Sequence, residues 1–234
     1  MPRQIPEDRF DQLVDCATKV FVEQGYRRTQ MADVAEAMGV AKGTLYLYVE
    51  SKEALFDLVC RQADVPAPRA LPAKLPVPTP SSKATLEYIA SRLAENGVPP
   101  SLTAALERRR ESDPRVELEA ILRELYDVLS RNRRGLKLLD RSAPDLPELG
   151  ALWFDGARSG LFGLMAQYLE RRTRAGLLRP VPDVTAAARL IIETIVFWAV
   201  HRHWDPHGEQ VSDAVAKDTV IHFIVSALVK GRRP

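Results

Sequence analysis

Cysteine is nearly absent from this chain: only Cys16 and Cys60 occur in 234 residues, and neither belongs to a CxxC pair. That excludes a disulfide scaffold and a cysteine-rich zinc site, and it fits a reducing compartment. Long apolar runs are missing too. The longest, Leu190 to Val200, is broken by Glu193 and is far shorter than a bilayer span, so it reads as a buried helix. Met1 to Phe10 carries Pro2, Pro6 and mixed charges where a signal peptide would have an apolar core, so a cytoplasmic protein with no membrane partner is expected. Excess charge of one sign is lacking: 33 basic residues face 31 acidic ones, a net of +2, so no global field announces a nucleic-acid or membrane partner. Apolar and polar residues nowhere alternate over a convincing strand length, and no segment repeats at solenoid spacing.

What remains is a chain with 46% hydrophobic and 27% charged residues, ample for a core and a soluble surface, whose apolar positions recur at three and four. Phe10, Leu13, Val14, Ala17, Val20 and Phe21 stripe a first helix that Gly25 stops. Thr29 is read as the N-cap of a short second helix carrying Met31, Val34, Ala35 and Met38, and Gly39 suits the left-handed turn that ends it. Ala41 to Val49 forms a third segment, and Ser51 caps a fourth helix with Leu55, Leu58 and Val59. Between Pro66 and Pro80, six of the chain's seventeen prolines fall in fifteen residues. This stretch cannot be helical and is expected to be an extended linker, or a loop laid over a second domain. Further helices are expected over Ser81 to Glu95, from Ser101 to Arg110, from Pro114 onward, and over Glu148 to Ala175, Asp183 to Trp204 and Asp213 to Lys230. The fold class is all-α.

A helix, a glycine turn and a second helix is the layout by which proteins present a short helix to the major groove of DNA, and Thr29 to Val49 has it. At about 100° per residue, Ala41, Leu45 and Val49 share the inner side of the third helix, whereas Gly43, Tyr46 and Leu47 point outward. A helix that met only water would show Glu, Lys and Gln there. This one shows a ring, a leucine and bare backbone, with no acid between Glu36 and Glu50. DNA accounts for each choice: Lys42 for a phosphate, Gly43 for close approach, Thr44 for a phosphate or base edge, Leu47 for apolar base contact, Tyr46 and Tyr48 for phosphate oxygens. The alternative is that Tyr46 and Leu47 pack against a second domain. Residues 1 to 60 hold seven basic and ten acidic residues, so affinity is expected to rest on a few placed groups.

The ordered set Phe21, Gly25, Thr29, Val34, Ala35, Gly39, Val40, Gly43, Thr44, Leu45, Tyr46, Tyr48, Val49, Lys52 and Leu55 resembles the TetR family of transcriptional regulators (TetR/AcrR-type). The run VAKGTLYLYVESKEAL, Val40 to Leu55, is close to that family's signature, with Val49 where phenylalanine is more usual. The resemblance implies a three-helix helix-turn-helix DNA-binding domain over 1–60 with its motif at 30–49, and a larger helical regulatory and dimerisation domain over 81–234. The 61–80 linker or loop departs from the family's more direct connection. The resemblance further implies a non-enzymatic repressor without cofactor or metal, binding a palindromic double-stranded operator as a homodimer. The DNA contacts would be Thr29, Gln30, Lys42, Gly43, Thr44, Tyr46, Leu47, Tyr48 and Lys52. RTRAGLLRPVPDVTAAARLI, Arg172 to Ile191, is similar to the junction of that family's dimer helices.

Elsewhere the candidates are less specific. Tyr126, Trp153, Phe154, Phe162, Phe197 and Trp198 are read as lining a pocket for an apolar or aromatic small-molecule effector. Gly156, Gly160 and Gly163, spaced by three and four, would allow a close crossing at a dimer seam or room beside a ligand, with Ile191 and Ile195 added to the seam. Arg108 to Arg110 and the basic segment Arg131 to Arg141 are read as solvated faces. The competing function is a helical metal-dependent sensor or enzyme using His201, His203, Asp205 and His207, although Pro206 spoils helical alignment of those ligands.

Overall fold

A computed structural model describes residues 7–81, 83–108, 112–208 and 210–230. Among the described residues there is no β-strand, only two isolated bridges, and the chain forms two compact units. The first comprises the described residues up to Ser91 together with Arg134–Trp153; the second comprises Arg92–Arg133 and the described residues from Phe154 onward. This division differs from the expected one in two ways: the proline-rich segment and a piece from the middle of the chain both belong to the first unit.

In the first unit, α1 (Glu7–Arg28), α2 (Met31–Ala37), α3 (Lys42–Leu45) and α4 (Lys52–Gln62) follow the apolar stripes. The α1 stripe, Phe10 to Phe21, is buried, and Phe21, Tyr26 and Phe56 stack edge-on or in parallel at 4.9 to 6.2 Å between ring centres. Gly25 breaks α1 with φ 79° and ψ 172°. A side chain there would also meet Asp145, whose carboxylate stands 2.9 Å from an added Cβ and accepts the Arg27 N–H at 2.8 Å. At the other end of the inserted segment, Asp64 accepts the Arg134 and Gly135 N–H groups at 2.8 and 2.9 Å, capping the start of α8 (Arg133–Ser142). Arg141 donates to the carbonyls of Val22 and Glu23 at the end of α1. Arg134 and Arg141 are therefore structural ties within the first unit, not the solvated face expected of Arg131 to Arg141.

The second unit holds α6 (Pro100–Glu107), α7 (Pro114–Arg131), α10 (Ser159–Arg174), α11 (Val184–Ala199) and α12 (Asp213–Leu228), while α5 (Ala84–Asn96) lies across the division. Asp113, Asp183 and Ser212 cap α7, α11 and α12. Pro99 is the N-cap of α6, and the Ser101 N–H and hydroxyl both donate to Glu124. The single helix expected over Glu148 to Ala175 is instead α9 (Pro147–Gly150), a π-helical stretch Ala151–Arg158, and α10. Bonds that reach five residues widen the turn, so Trp153 and Phe154 do not keep a 3.6-residue spacing with Phe162. Arg109 and Arg110 lie outside the described residues.

One buried ion pair joins three helices of this unit. Arg172 on α10 donates Nε to Glu117 of α7 at 2.6 Å and Nη2 to the Ala105 carbonyl of α6 at 2.8 Å. Arg172 is 8% exposed and Glu117 7%. Burial would raise the Glu117 carboxyl, but hydrogen bonds from Arg172 and Ser112 hold it below the usual glutamate value of 4.5. A depressed carboxylate stabilises the fold above its unfolded value, and that contribution is lost as pH falls through the folded one. Glu117→Ala is expected to cost about 3–5 kcal/mol in denaturant unfolding at neutral pH because it strands the Arg172 charge. Wild-type stability should fall more steeply than the variant's below the usual glutamate range; a neutral substitution with an unchanged acid limb would contradict the assignment.

Candidate nucleic-acid interface

The interface is built from the end of α1 to the start of α4. The Gln30 N–H donates to Asp33 at 2.8 Å, so Gln30, not Thr29, is the N-cap of α2. Thr29, just past the end of α1, is 1% exposed and gives its hydroxyl to the Gly25 carbonyl four residues back at 2.7 Å. It holds the end of α1 and offers nothing to a phosphate; an i−4 bond of this kind competes with capping, and residue type alone does not distinguish the two. At the other end of α2, Gly39 takes φ 65°. Its N–H reaches the Glu36 carbonyl at 2.9 Å and the Val40 N–H the Ala35 carbonyl at 3.0 Å, a Schellman closure that sets the angle into α3.

From α3 onward the chain tightens. Leu47 N–H donates to Thr44 at 3.2 Å and Tyr48 N–H to Leu45 at 2.9 Å, both three residues back. At about 120° per residue, positions three apart eclipse, so Tyr48 comes to lie over the buried Leu45. Tyr48 is 4% exposed, and burial pushes its hydroxyl pKa up. It leaves the groove-facing set; spacing alone leaves it near the border of the inner side, and the tightened turn draws it over Leu45. Lys52 is half-buried and engaged within the unit: its ammonium donates to the Arg27 carbonyl at 3.2 Å and sits 4.5 Å above the Tyr26 ring, and burial lowers its pKa.

The exposed set is Gln30, Lys42, Gly43, Tyr46 and Leu47, with Thr44 half-buried beside them. Tyr46 is 42% and Leu47 51% exposed, so packing inside the first unit does not account for them. Gly43 has ordinary negative φ, and a Cβ there would meet nothing within 4 Å. Neither backbone nor packing asks for glycine in a helix where it costs about 1 kcal/mol against alanine. Something that approaches from outside does account for it. The strongest residues that sequence reasoning misses lie in the proline-rich segment, where Val77 exchanges backbone hydrogen bonds with Tyr48 and Glu50. Long-range pairing of this kind leaves no local signal.

Other expected sites fare unevenly. Tyr126 is buried with its hydroxyl on the Trp198 carbonyl at 3.2 Å, Phe197 is exposed, and Phe154 and Phe162 flank the Arg158 guanidinium at 5.6 and 5.9 Å. Trp153 falls in the first unit and the other five aromatics in the second. Ile191 and Ile195 are 2% and 0% exposed, buried inside the second unit, and so cannot meet a second copy. Gly156, Gly160 and Gly163 are exposed, and the latter two have open space where a Cβ would stand. Among the described residues no cluster of three metal-ligating side chains exists. His203 lies instead against Arg133 and Asp213, with burial and the Arg133 charge holding its pKa down. No helix among the described residues is long and apolar enough to cross a membrane.

Comparison with known proteins agrees with this geometry. The family profile "Bacterial regulatory proteins, tetR family" matches residues 13–59. The HTH-type transcriptional repressor KstR2 of Rhodococcus jostii (strain RHA1) is 27% identical over 210 residues, 89% of this chain and 86% of its own length. Four other curated regulators match over 45 to 59 residues, so that the chain spans only 23% to 30% of their lengths. Among solved structures, the ketosteroid transcriptional regulator KstR2 of Mycobacterium tuberculosis superposes with a TM-score of 0.56 at 16% identity, over 97% of this chain and 98% of that one. AibR, solved in complex with isovaleryl coenzyme A and operator DNA, superposes with a TM-score of 0.52 at 16% identity, over 92% and 97%. The helix-turn-helix over residues 13–59 is thus similar to that of the tetR family of bacterial regulatory proteins, and the chain as a whole is similar in sequence and fold to regulators of that kind.

Proposed function

We propose that this protein is a transcriptional repressor that binds a palindromic duplex operator as a homodimer and is released by a small apolar or aromatic effector. The observation that carries the DNA-reading part is the exposed face of Lys42, Gly43, Tyr46 and Leu47, free of acid from Ala37 to Val49. Lys42 supplies a phosphate contact, Gly43 close approach, and Leu47 an apolar base contact, with Gln30 and Thr44 at the margins. Two such faces related by a two-fold axis would enter successive major grooves about 34 Å apart or somewhat more.

The surface of the second unit supports a dimer. Leu190 and Phe197 stand seven residues apart on α11 and are 68% and 44% exposed; Val215 and Phe223 on α12 are 57% and 71% exposed. Large apolar groups in stripes on two helices are costly in water and mark an interface. On this reading the seam moves from the buried Ile191 and Ile195 to Leu190, one residue before the first, and Phe197, two after the second, with Gly160 and Gly163 open for close approach. The effector site is placed by this reading in the same unit, among Tyr126, Phe154, Phe162 and Trp198; AibR, solved with isovaleryl coenzyme A, supports a small-molecule effector there, although only the acyl end of that ligand is apolar. Release needs the effector to favour a non-binding state by about 1–3 kcal/mol.

Three substitutions test the reading. Gly43→Ala is expected to hold or raise thermal stability, by up to about 1 kcal/mol, while weakening binding to the protein's own upstream DNA. Lys42→Ala should lower affinity and reduce the slope of log affinity against log salt by about 1 per protomer. Unchanged affinity in both variants, measured by fluorescence anisotropy, would contradict the interface. Phe223→Glu with Leu190→Glu should turn the wild-type dimer into a monomer in sedimentation velocity, and an unchanged dimer would refute this seam.

A further inference from the structure

The proline-rich segment Pro66–Pro80 runs across the first unit and is fastened at two points. Arg69 is 5% exposed, and its guanidinium donates to Asp11 at 2.9 Å, to Asp15 at 2.9 Å and to the Gln62 carbonyl at 3.2 Å. Its own backbone N–H adds a bond to Asp11 at 3.1 Å. One side chain thus locks the segment to α1 and to the end of α4. Eight residues on, Val77 donates its N–H to the Tyr48 carbonyl at 2.7 Å and accepts the Glu50 N–H at 3.0 Å. Thr79 then donates its N–H to the Glu50 carboxylate at 3.0 Å and its hydroxyl to Ser51 at 2.8 Å.

These contacts close the open end of the DNA-facing element. A helix of four residues is too short to persist alone, and the turn that follows α3 leaves the Tyr48 C=O and the Glu50 N–H without partners in the helix-turn-helix itself. Val77 supplies both. Prolines at 76 and 78 flank it, so the strap carries few competing conformations when it is released. We propose that Pro66–Pro80 is a positioning strap: Arg69 anchors it and Val77 sets the backbone of Tyr48–Glu50, which fixes the pose of Tyr46 and Leu47 toward DNA. Arg69 and Val77 are positioning residues that touch no nucleotide. The proposal rests on the reading of α3 and its turn as the DNA-facing element, but the strap's hold on that turn is measurable without DNA.

The test compares Val77→Pro, which removes the N–H donor, with Val77→Leu, which keeps it, in the full-length protein. Hydrogen exchange followed by NMR should show the Glu50 amide losing protection by about tenfold or more in Val77→Pro and staying close to wild type in Val77→Leu. On a duplex enriched from a random library by the wild type, Val77→Pro should lose about tenfold in affinity while its binding to scrambled duplex is unchanged, so that the specificity ratio falls. Arg69→Ala should produce the same pair of changes from eight residues away, and it serves alone should Val77→Pro not fold. Glu50 exchange at the wild-type rate in these variants overturns the strap. Fast exchange with an unaltered specificity ratio overturns its positioning role. A library that yields no enriched duplex would defeat the DNA reading itself and leave the exchange result to decide the strap's hold.

Discussion

A four-residue helix cannot hold its own shape, and the surface proposed to read DNA is built on one. Everything around α3 (Lys42–Leu45) acts to fix it from outside. The Schellman turn at Gly39 sets its entry, the buried Leu45, Tyr48 and Val49 pin its inner side, and the two backbone bonds to Val77 close its exit. The end of α1 is fixed in turn by Thr29, by Lys52 and by Asp145 across the Gly25 break. Several residues that resemble DNA contacts are therefore part of the frame, and the surface proposed to meet DNA is small: one lysine, one bare glycine, one tyrosine and one leucine, with Gln30 and Thr44 at its edge.

The charge distribution follows from the same arrangement. Residues 1–60 carry more acid than base, which would discourage a polyanion if the acids faced it. Most are engaged inside the first unit. Asp11 and Asp15 hold Arg69, Asp33 closes the α2 cap, Glu50 meets Thr79, Glu53 meets Tyr26, and Asp57 holds Arg61 and Thr85. For Asp15, burial favours the neutral form, yet hydrogen bonds and charges from Arg134 and Arg69 keep its carboxyl below the usual aspartate value. Net charge counted along the sequence says little here, because the acids serve as caps and ties while the exposed face of α3 keeps Lys42 alone. Recognition by geometry and by dimeric repetition suits such a surface better than bulk attraction.

Local chemistry is legible in the sequence itself. The α1 stripe, the Gly39 turn, the Ser51 cap and the outward Tyr46 and Leu47 all follow from spacing and residue type, because each depends on residues within a few positions. The departures share a different cause. Tyr48, which spacing leaves near the border of the inner side, is drawn over Leu45 as the chain tightens, and Thr29 turns its hydroxyl back onto the Gly25 carbonyl. Ile191 and Ile195 are expected at a seam although Leu190 and Phe197 carry the exposed stripe, since periodicity gives a face but not what the face meets. The π-helical Ala151–Arg158 shifts the aromatic register. Arg134–Trp153 and the proline-rich strap join the first unit through Asp64, Asp145, Arg69 and Val77, and most of the partners these residues meet are dozens of positions away, which no local pattern encodes.

The proposed function requires above all that the exposed face at Leu47 lie against bases of duplex DNA. A photo-crosslinking amino acid placed at position 47, and separately at position 223 on α12, tests this directly on the protein bound to its own upstream DNA. Covalent attachment to bases inside a protected half-site from position 47, with none from position 223, is the predicted result. Attachment from position 223 but not from position 47, or from neither while DNA is demonstrably bound, would contradict it.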